Sequence, residues 1–226
     1  RGVVEPVDVV GADAGTAAPT GGWVAWVQDD RGARNIWVAG PPEYQGRQLT
    51  SYDRDDGQEI GSLTWTPDGA TLLYLRGGAP NRQGEVPNPT SDPAGMERAL
   101  WRIPREGGAP VRIGPGTGPA MAPDGSGFAY LQGGQIWFAP LGKGGAAAAG
   151  AQAPDSAPRA LVRARGSLGS LAWSPDASRL AFVSNRGTHS FVGIYERATA
   201  SLRWMDPSVD QDGNPVWSPP GDRIAF

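Results

Sequence analysis

No cysteine occurs in this chain of 226 residues, which excludes disulfides and thiolate metal sites but does not choose a compartment. Histidine is nearly absent too, with only His189. No stretch approaches the roughly 18 consecutive apolar residues that cross a bilayer as a helix. The N-terminus, Arg1-Gly2-Val3-Val4-Glu5-Pro6, has no initiator Met and no basic segment leading into an apolar one. Nowhere is there a Lys/Arg-rich block, and the formal net charge is −3, so the electrostatic footprint of a nucleic-acid partner is missing. Also absent are a Gly-x-Ser-x-Gly nucleophile elbow and any strand-helix alternation, so no catalytic residue is assigned.

What is present is turn chemistry and aromatic mass. Gly (34) and Pro (22) exceed average usage without a Gly-X-Y period, and nine Trp with 39% hydrophobic residues indicate a folded chain of many short strands. Five times a small or aromatic residue, a spacer and a proline precede a turn and a short apolar run: Ala17-Ala18-Pro19-Thr20-Gly21, Trp65-Thr66-Pro67-Asp68-Gly69, Met121-Ala122-Pro123-Asp124-Gly125, Trp173-Ser174-Pro175-Asp176-Ala177 and Trp217-Ser218-Pro219-Pro220-Gly221. The prolines are 48, 56, 52 and 44 residues apart, the range of a β-propeller blade.

The runs after the turns (Trp23–Val27, Thr71–Leu75, Gly127–Leu131, Arg179–Val183 and Arg223–Phe226) read as the second strand of a hairpin. Proline pre-sets φ at the first central turn position, and Gly accepts the positive φ that returns the chain to the ladder. A third strand with an aromatic comes next in Asn35–Val38, Ala99–Ile103, Gln135–Phe138 and Gly193–Glu196. A weaker fourth lies near Gln48–Thr50, Val111–Ile113, Ala160–Val162 and Leu202–Trp204. The expectation is an all-β protein, a propeller of four-stranded antiparallel blades, with four blades and the opening of a fifth. A lead-in covers 1–16 and the partial propeller 17–226, its repeats starting near 17, 65, 121, 173 and 217. A β-sandwich with turns at similar offsets by chance is the competing architecture. The recurrent Trp and Tyr are assigned to packing between blades, an exposed aromatic platform being the alternative.

Two insertions break the period. Leu141 to Pro158, with Ala146 to Ala149 among glycines, reads as a flexible loop. Arg76 to Pro89, continuing through Thr90 to Glu97, mixes Arg, Asn and Glu with prolines, the character of a functional loop on a rigid scaffold or of a solvated excursion.

The chain resembles the N-terminal β-propeller of the prolyl oligopeptidase and dipeptidyl-peptidase family of serine peptidases. The resemblance rests on Tyr52-Asp53-Arg54-Asp55-Asp56-Gly57-Gln58-Glu59-Ile60, the Pro-Asp-Gly repeats at 67 and 123, the insertion from Arg76 to Pro89, Ser184-Asn185-Arg186-Gly187-Thr188-His189-Ser190-Phe191, Asp206–Asp210 and Pro215–Pro219. The Pro-Asp-Gly repeats are shared with TolB-like propellers. The resemblance implies a propeller that admits short peptides to the Ser-Asp-His triad of a C-terminal α/β-hydrolase domain, which this sequence does not contain. It also favours a periplasmic or secreted location over a cytoplasmic one. Family members grip substrate termini with acidic and arginine side chains of the propeller. Arg76, Asn81, Arg82, Glu85 and Glu97 are the candidate peptide contacts on the insertion, none matched to a family site residue by residue.

Three other constellations are weighed. His189 lies between propeller strands, where a loop-stabilising hydrogen bond is expected rather than a general base. Asp53, Asp55, Asp56 and Glu59, and separately Asp206, Asp210 and Asp212, cluster in connections between repeats. They miss the EF-hand spacing because Gly57 stands where a ligand is needed, so turn-capping is expected and neither metal nor cofactor is assigned. The rivals are a TolB-like protein-binding propeller without enzymatic activity, and a propeller glycosidase or lyase, for which no ring of acids at equivalent positions is found. A start without Met and a stop within the fifth repeat read as a piece of a longer chain, whose isolated form is expected to self-associate through aromatic blade faces or to be only marginally folded.

Overall fold

The computed structural model describes residues 15–141, 157–205 and 209–226. The lead-in before residue 15, most of the Leu141–Pro158 insertion, and Asp206 lie outside the described residues. Four blades succeed one another as antiparallel meanders: β1 (Thr16–Ala17), β2 (Val24–Asp30), β3 (Ala33–Ala39) and β4 (Arg47–Gln48); β5 (Ile60–Trp65), β6 (Thr71–Arg76), β7 (Ala99–Pro104) and β8 (Val111–Pro115); β9 (Thr117–Met121), β10 (Gly127–Gln132), β11 (Gln135–Pro140) and β12 (Arg159–Val162); β13 (Ser167–Trp173), β14 (Arg179–Asn185), β15 (Ser190–Glu196) and β16 (Ser201–Trp204). A hairpin of β17 (Val216–Trp217) and β18 (Ile224–Ala225) opens a fifth. The fold is an incomplete β-propeller, and no helix occurs among the described residues.

First strands lie beside first strands: β1 approaches β5, β5 approaches β9, β9 approaches β13 and β13 approaches β17. They form the inner ring. Alternation along each second strand then supplies both seams of a blade. Leu72 and Tyr74 pack with Ala25, Ile36 and Val38 of the first blade, whereas Leu73 and Leu75 pack with Phe128, Tyr130 and Ala139 of the third. The third and fourth blades join through Ile136, Phe138, Trp173, Leu180 and Phe182. Because successive strand side chains point to opposite faces, one apolar run serves two interfaces. Trp65 and Trp173 are buried in these seams, as interblade packing requires.

The residue between aromatic and proline is more than a spacer. In the fourth blade the buried Ser174 hydroxyl donates to Asp176 Oδ1 at 2.6 Å and accepts from the Arg179 N–H at 2.9 Å, while the Ser178 N–H donates to Asp176 at 3.1 Å. Thr66 and Asp68 repeat the arrangement in the second blade. In the third, where Ala122 lacks a hydroxyl, Ser126 Oγ satisfies Asp124 instead at 2.6 Å. A hydroxyl at this place pairs backbone groups that the tight turn would leave orphaned.

Three residues before each repeat's aromatic or Met, the chain adopts positive φ, at Ser62 (52°), Gly118 (58°) and Ser170 (49°) within the inner strand and at Asn214 (49°) just ahead of β17. In the second, third and fourth blades the ladder shifts register there, two inner-strand residues facing one residue of the second strand: Tyr74, Tyr130 or Phe182. This is a β-bulge, and in the third blade it accommodates Pro119, which has no partner in the ladder.

Candidate functional site

β2 and β3 are joined by two residues, as are β10 and β11, but β6 and β7 are separated by residues 77–98. This insertion is folded by its own asparagines. Asn81 Oδ1 accepts the N–H groups of Gln83 and Glu85, each at 3.0 Å, and the Asn81 N–H donates to the Glu85 carbonyl at 3.0 Å. Asn88 does the same one turn later, its amide spanning Asp92 with bonds of 2.8 and 2.9 Å.

The insertion lies against the acidic connection from the first blade. Gln58 is buried and directs its Nε2 at the Pro87 carbonyl, 3.4 Å away. Gly57, at φ 67°, touches Pro89 so closely that a Cβ would stand 2.0 Å from the ring. That approach is the physical reason for glycine at this place. Beneath it, Asp56 is ion-paired with Arg76, whose guanidinium also lies 4.1 Å from the Tyr52 ring centre. Tyr52 and Tyr74 share a hydroxyl bond of 2.9 Å, and burial, then that bond, pushes the Tyr74 phenol well above its usual range.

The five candidate residues therefore divide. Arg76 stands at the base of the insertion, occupied by Asp56 and Tyr52. Glu97 is spanned by Arg112 through bonds of 2.5 and 2.6 Å, which hold its carboxyl below the usual range. Asn81 holds the hairpin and donates through Nδ2 to Glu85 Oε2 at 2.8 Å. Arg82 is exposed and has no ion pair among the described residues. Asn81 and Glu85, with Ala79, Val86, Asn88 and Met96, line a concavity of about 550 Å³ within the insertion.

A second concavity, of about 350 Å³, is lined by Glu59, Arg98, Gly77 and the bulge residues Gly61 to Leu63 of the inner strand. Arg98 Nε is buried there without a hydrogen-bond partner among the described residues. Sequence reasoning passed over Arg98. The available signal was its place at the mouth of the third strand, one residue beyond the Arg- and Glu-bearing insertion. Among the described residues no three acidic or histidine side chains converge as a metal site. Asp55 caps the Gly57 N–H at 2.9 Å and Asp56 the Gln58 N–H at 3.0 Å. His189 Nδ1 meets the Thr188 hydroxyl at 2.7 Å.

No protein-family model and no curated protein matches the sequence. Solved structures do share its architecture. The chain is similar to TolB from Acinetobacter baumannii (TM-score 0.58, 18% identity, 93% of this chain and 47% of that one). It is similar to a prolyl endopeptidase (0.59, 15%, 87% and 29%) and to an oligogalacturonate lyase solved in complex with manganese (0.60, 16%, 93% and 56%). The chain thus spans between about a third and just over half of the length of these proteins. At these identities the likeness is one of fold.

Proposed function

We propose that this propeller is the non-catalytic, substrate-selecting part of a serine-type peptidase acting on short peptides, seated over a C-terminal α/β-hydrolase domain of the same protein. The observation that carries the reading is the ordered insertion on the second blade. It presents Arg82 and Glu85 on a hydrogen-bonded hairpin that lines one concavity, while its C-terminal end carries the unpartnered Arg98 Nε into another. Opposite charges on one hairpin suit the two ends of a peptide: a carboxylate beside a free amine, an arginine beside a carbonyl or carboxylate. Rigid backing by Asn81 and Pro87 lowers the ordering cost of binding.

In the full-length protein, replacing both Arg82 and Glu85 by Ala is expected to raise KM for short peptides or to change end preference. Unchanged kinetics would overturn the contact assignment. A nucleophile elbow encoded downstream of Phe226 is the companion expectation, and a protein-binding propeller of TolB type is the reading if none is found.

A further inference from the structure

We propose that the fourth blade carries a binding site for an oxyanion of the carboxylate or phosphate class, formed by Arg165, Arg186 and His189 over Phe191. These residues line a concavity of about 350 Å³ on the same side of the blade as the second-blade insertion, where second strand turns into third.

Both arginines lack a carboxylate within ion-pair distance among the described residues, whereas Arg197 has Asp124 and Arg76 has Asp56. The Arg165 backbone and the Arg186 side chain are nevertheless tied together. The fully buried Ser184 hydroxyl donates to the Arg165 carbonyl at 2.7 Å and accepts from Arg186 Nε at 3.3 Å, so one side chain ties the two segments together. Upstream, the Gln135 amide clamps Ala164, accepting from its N–H at 2.8 Å and donating to its carbonyl at 3.2 Å. Gly166 has φ 87° and lies so close that a Cβ would stand 2.3 Å from the Asn185 carbonyl and 3.0 Å from Arg186 Cγ. Such an approach admits only glycine.

The Arg186 guanidinium lies 4.8 Å from the Phe191 ring centre and 5.1 Å from that of Trp204. With ring packing on the guanidinium and Nε taken by Ser184, the two terminal nitrogens remain to donate to a planar anion. His189 stacks on Phe191 at 6.4 Å and commits Nδ1 to Thr188, so Nε2 is its remaining polar atom. Two cations with no carboxylate partner among the described residues, backed by an apolar floor and tied by a buried hydroxyl, form a site for an added anion.

The test is calorimetric binding to the full-length protein of three probes at low ionic strength: acetyl-trialanine with a free carboxylate, its C-terminal amide, and inorganic phosphate. The acid is expected to bind and the amide not. Arg165→Gln and Arg186→Gln should each weaken the acid by about tenfold or more, as loss of a charged hydrogen bond does. Arg186→Lys, which keeps the charge but not the fork, should recover only part, and thermal melts verify that each variant folds. Phosphate binding lost in the same variants supports the site with a phosphate as its ligand. Equal binding of acid and amide, no binding of any probe, or affinity unaltered in both Gln variants overturns the proposal. Because Arg82 and Glu85 are untouched, it fails or stands apart from the peptide assignment on the second blade.

Discussion

The Trp173 indole N–H donates to the Ala120 carbonyl at 3.0 Å across the seam between third and fourth blades. The bond recurs: Trp65 reaches Thr16 at 3.2 Å and Trp217 reaches Ala172 at 3.0 Å, each acceptor lying on the inner strand of the preceding blade. Only at Met121, which has no donor, is the link missing from a repeat that has a preceding blade. The aromatic of the repeat is therefore a connector as well as a packing group. Trp173→Phe keeps the apolar contact but deletes the donor, and is expected to lower stability by roughly 1–3 kcal/mol. The check is a urea midpoint shift at unchanged slope. Stability equal to wild type would show that ring packing alone closes the seam.

Loss of stability in acid is expected to arise from the turn aspartates. The Ser174 hydroxyl, then that of Ser178, holds the Asp176 carboxyl at about 2 against an ordinary 3.8. Asp68 is lowered chiefly by the Thr66 hydroxyl. Asp124 is lowered as well, burial opposing the shift but outweighed by Ser126 and Arg197. Folded values below unfolded ones mean stability that is complete above the unfolded value and lost as pH falls through the folded one. Denaturation midpoints should hold from neutrality to about pH 4, then fall toward pH 2. Asp176→Asn should make that decline shallower, and a decline as steep as wild type would remove Asp176 as a cause.

Ala177 occupies at φ 57° the place that Gly69 and Gly125 take in the second and third blades. A left-handed alanine costs about 1–2 kcal/mol, partly offset by the larger unfolded-state freedom of glycine. Ala177→Gly is expected to stabilise by several tenths to about 1 kcal/mol, seen as a higher melting temperature. Gly69→Ala should do the reverse, since its Cβ would also press within 3.3 Å of the Thr20 carbonyl. A lower melting temperature for Ala177→Gly would contradict the strain account.

Asp56 and Arg76 are each about one-fifth exposed, 22% and 20%, so the pair is poorly screened. Either Asp56→Asn or Arg76→Met alone leaves one charge without its partner, at a cost of roughly 1–3 kcal/mol, and the double variant should cost less than the sum. A double-mutant cycle by chemical denaturation reads this directly. Additive losses would mean that the two act separately.

Much of the fold was legible because its signals are local. A proline fixes its own φ, glycine alone accepts the turn's positive angle cheaply, and alternation along Thr71–Leu75 is a property of five adjacent residues. The bulge was legible in principle and overlooked. Gly61-Ser62, Gly169-Ser170 and Gly213-Asn214 stand at one distance before the tryptophan, but the proline turn is the stronger signal and marks the strand on its C-terminal side. The site was less readable. Arg76, Arg82, Arg98, Arg165 and Arg186 are chemically identical in a string of letters.

By itself the sequence determined the all-β class, the four strands of each repeat and the repeating turn, since each depends on chemistry within a few residues. Only the tertiary structure decided which charges are spent. Arg76 finds Asp56 and Glu97 finds Arg112 through loops that bring together residues 20 and 15 positions apart, whereas Arg165 and Arg186 line one concavity with no carboxylate partner among the described residues. Pairing falls off over a few ångströms while sequence separation carries no information about that distance, so an arginine's role is set by the blade on which the folded chain places its neighbour.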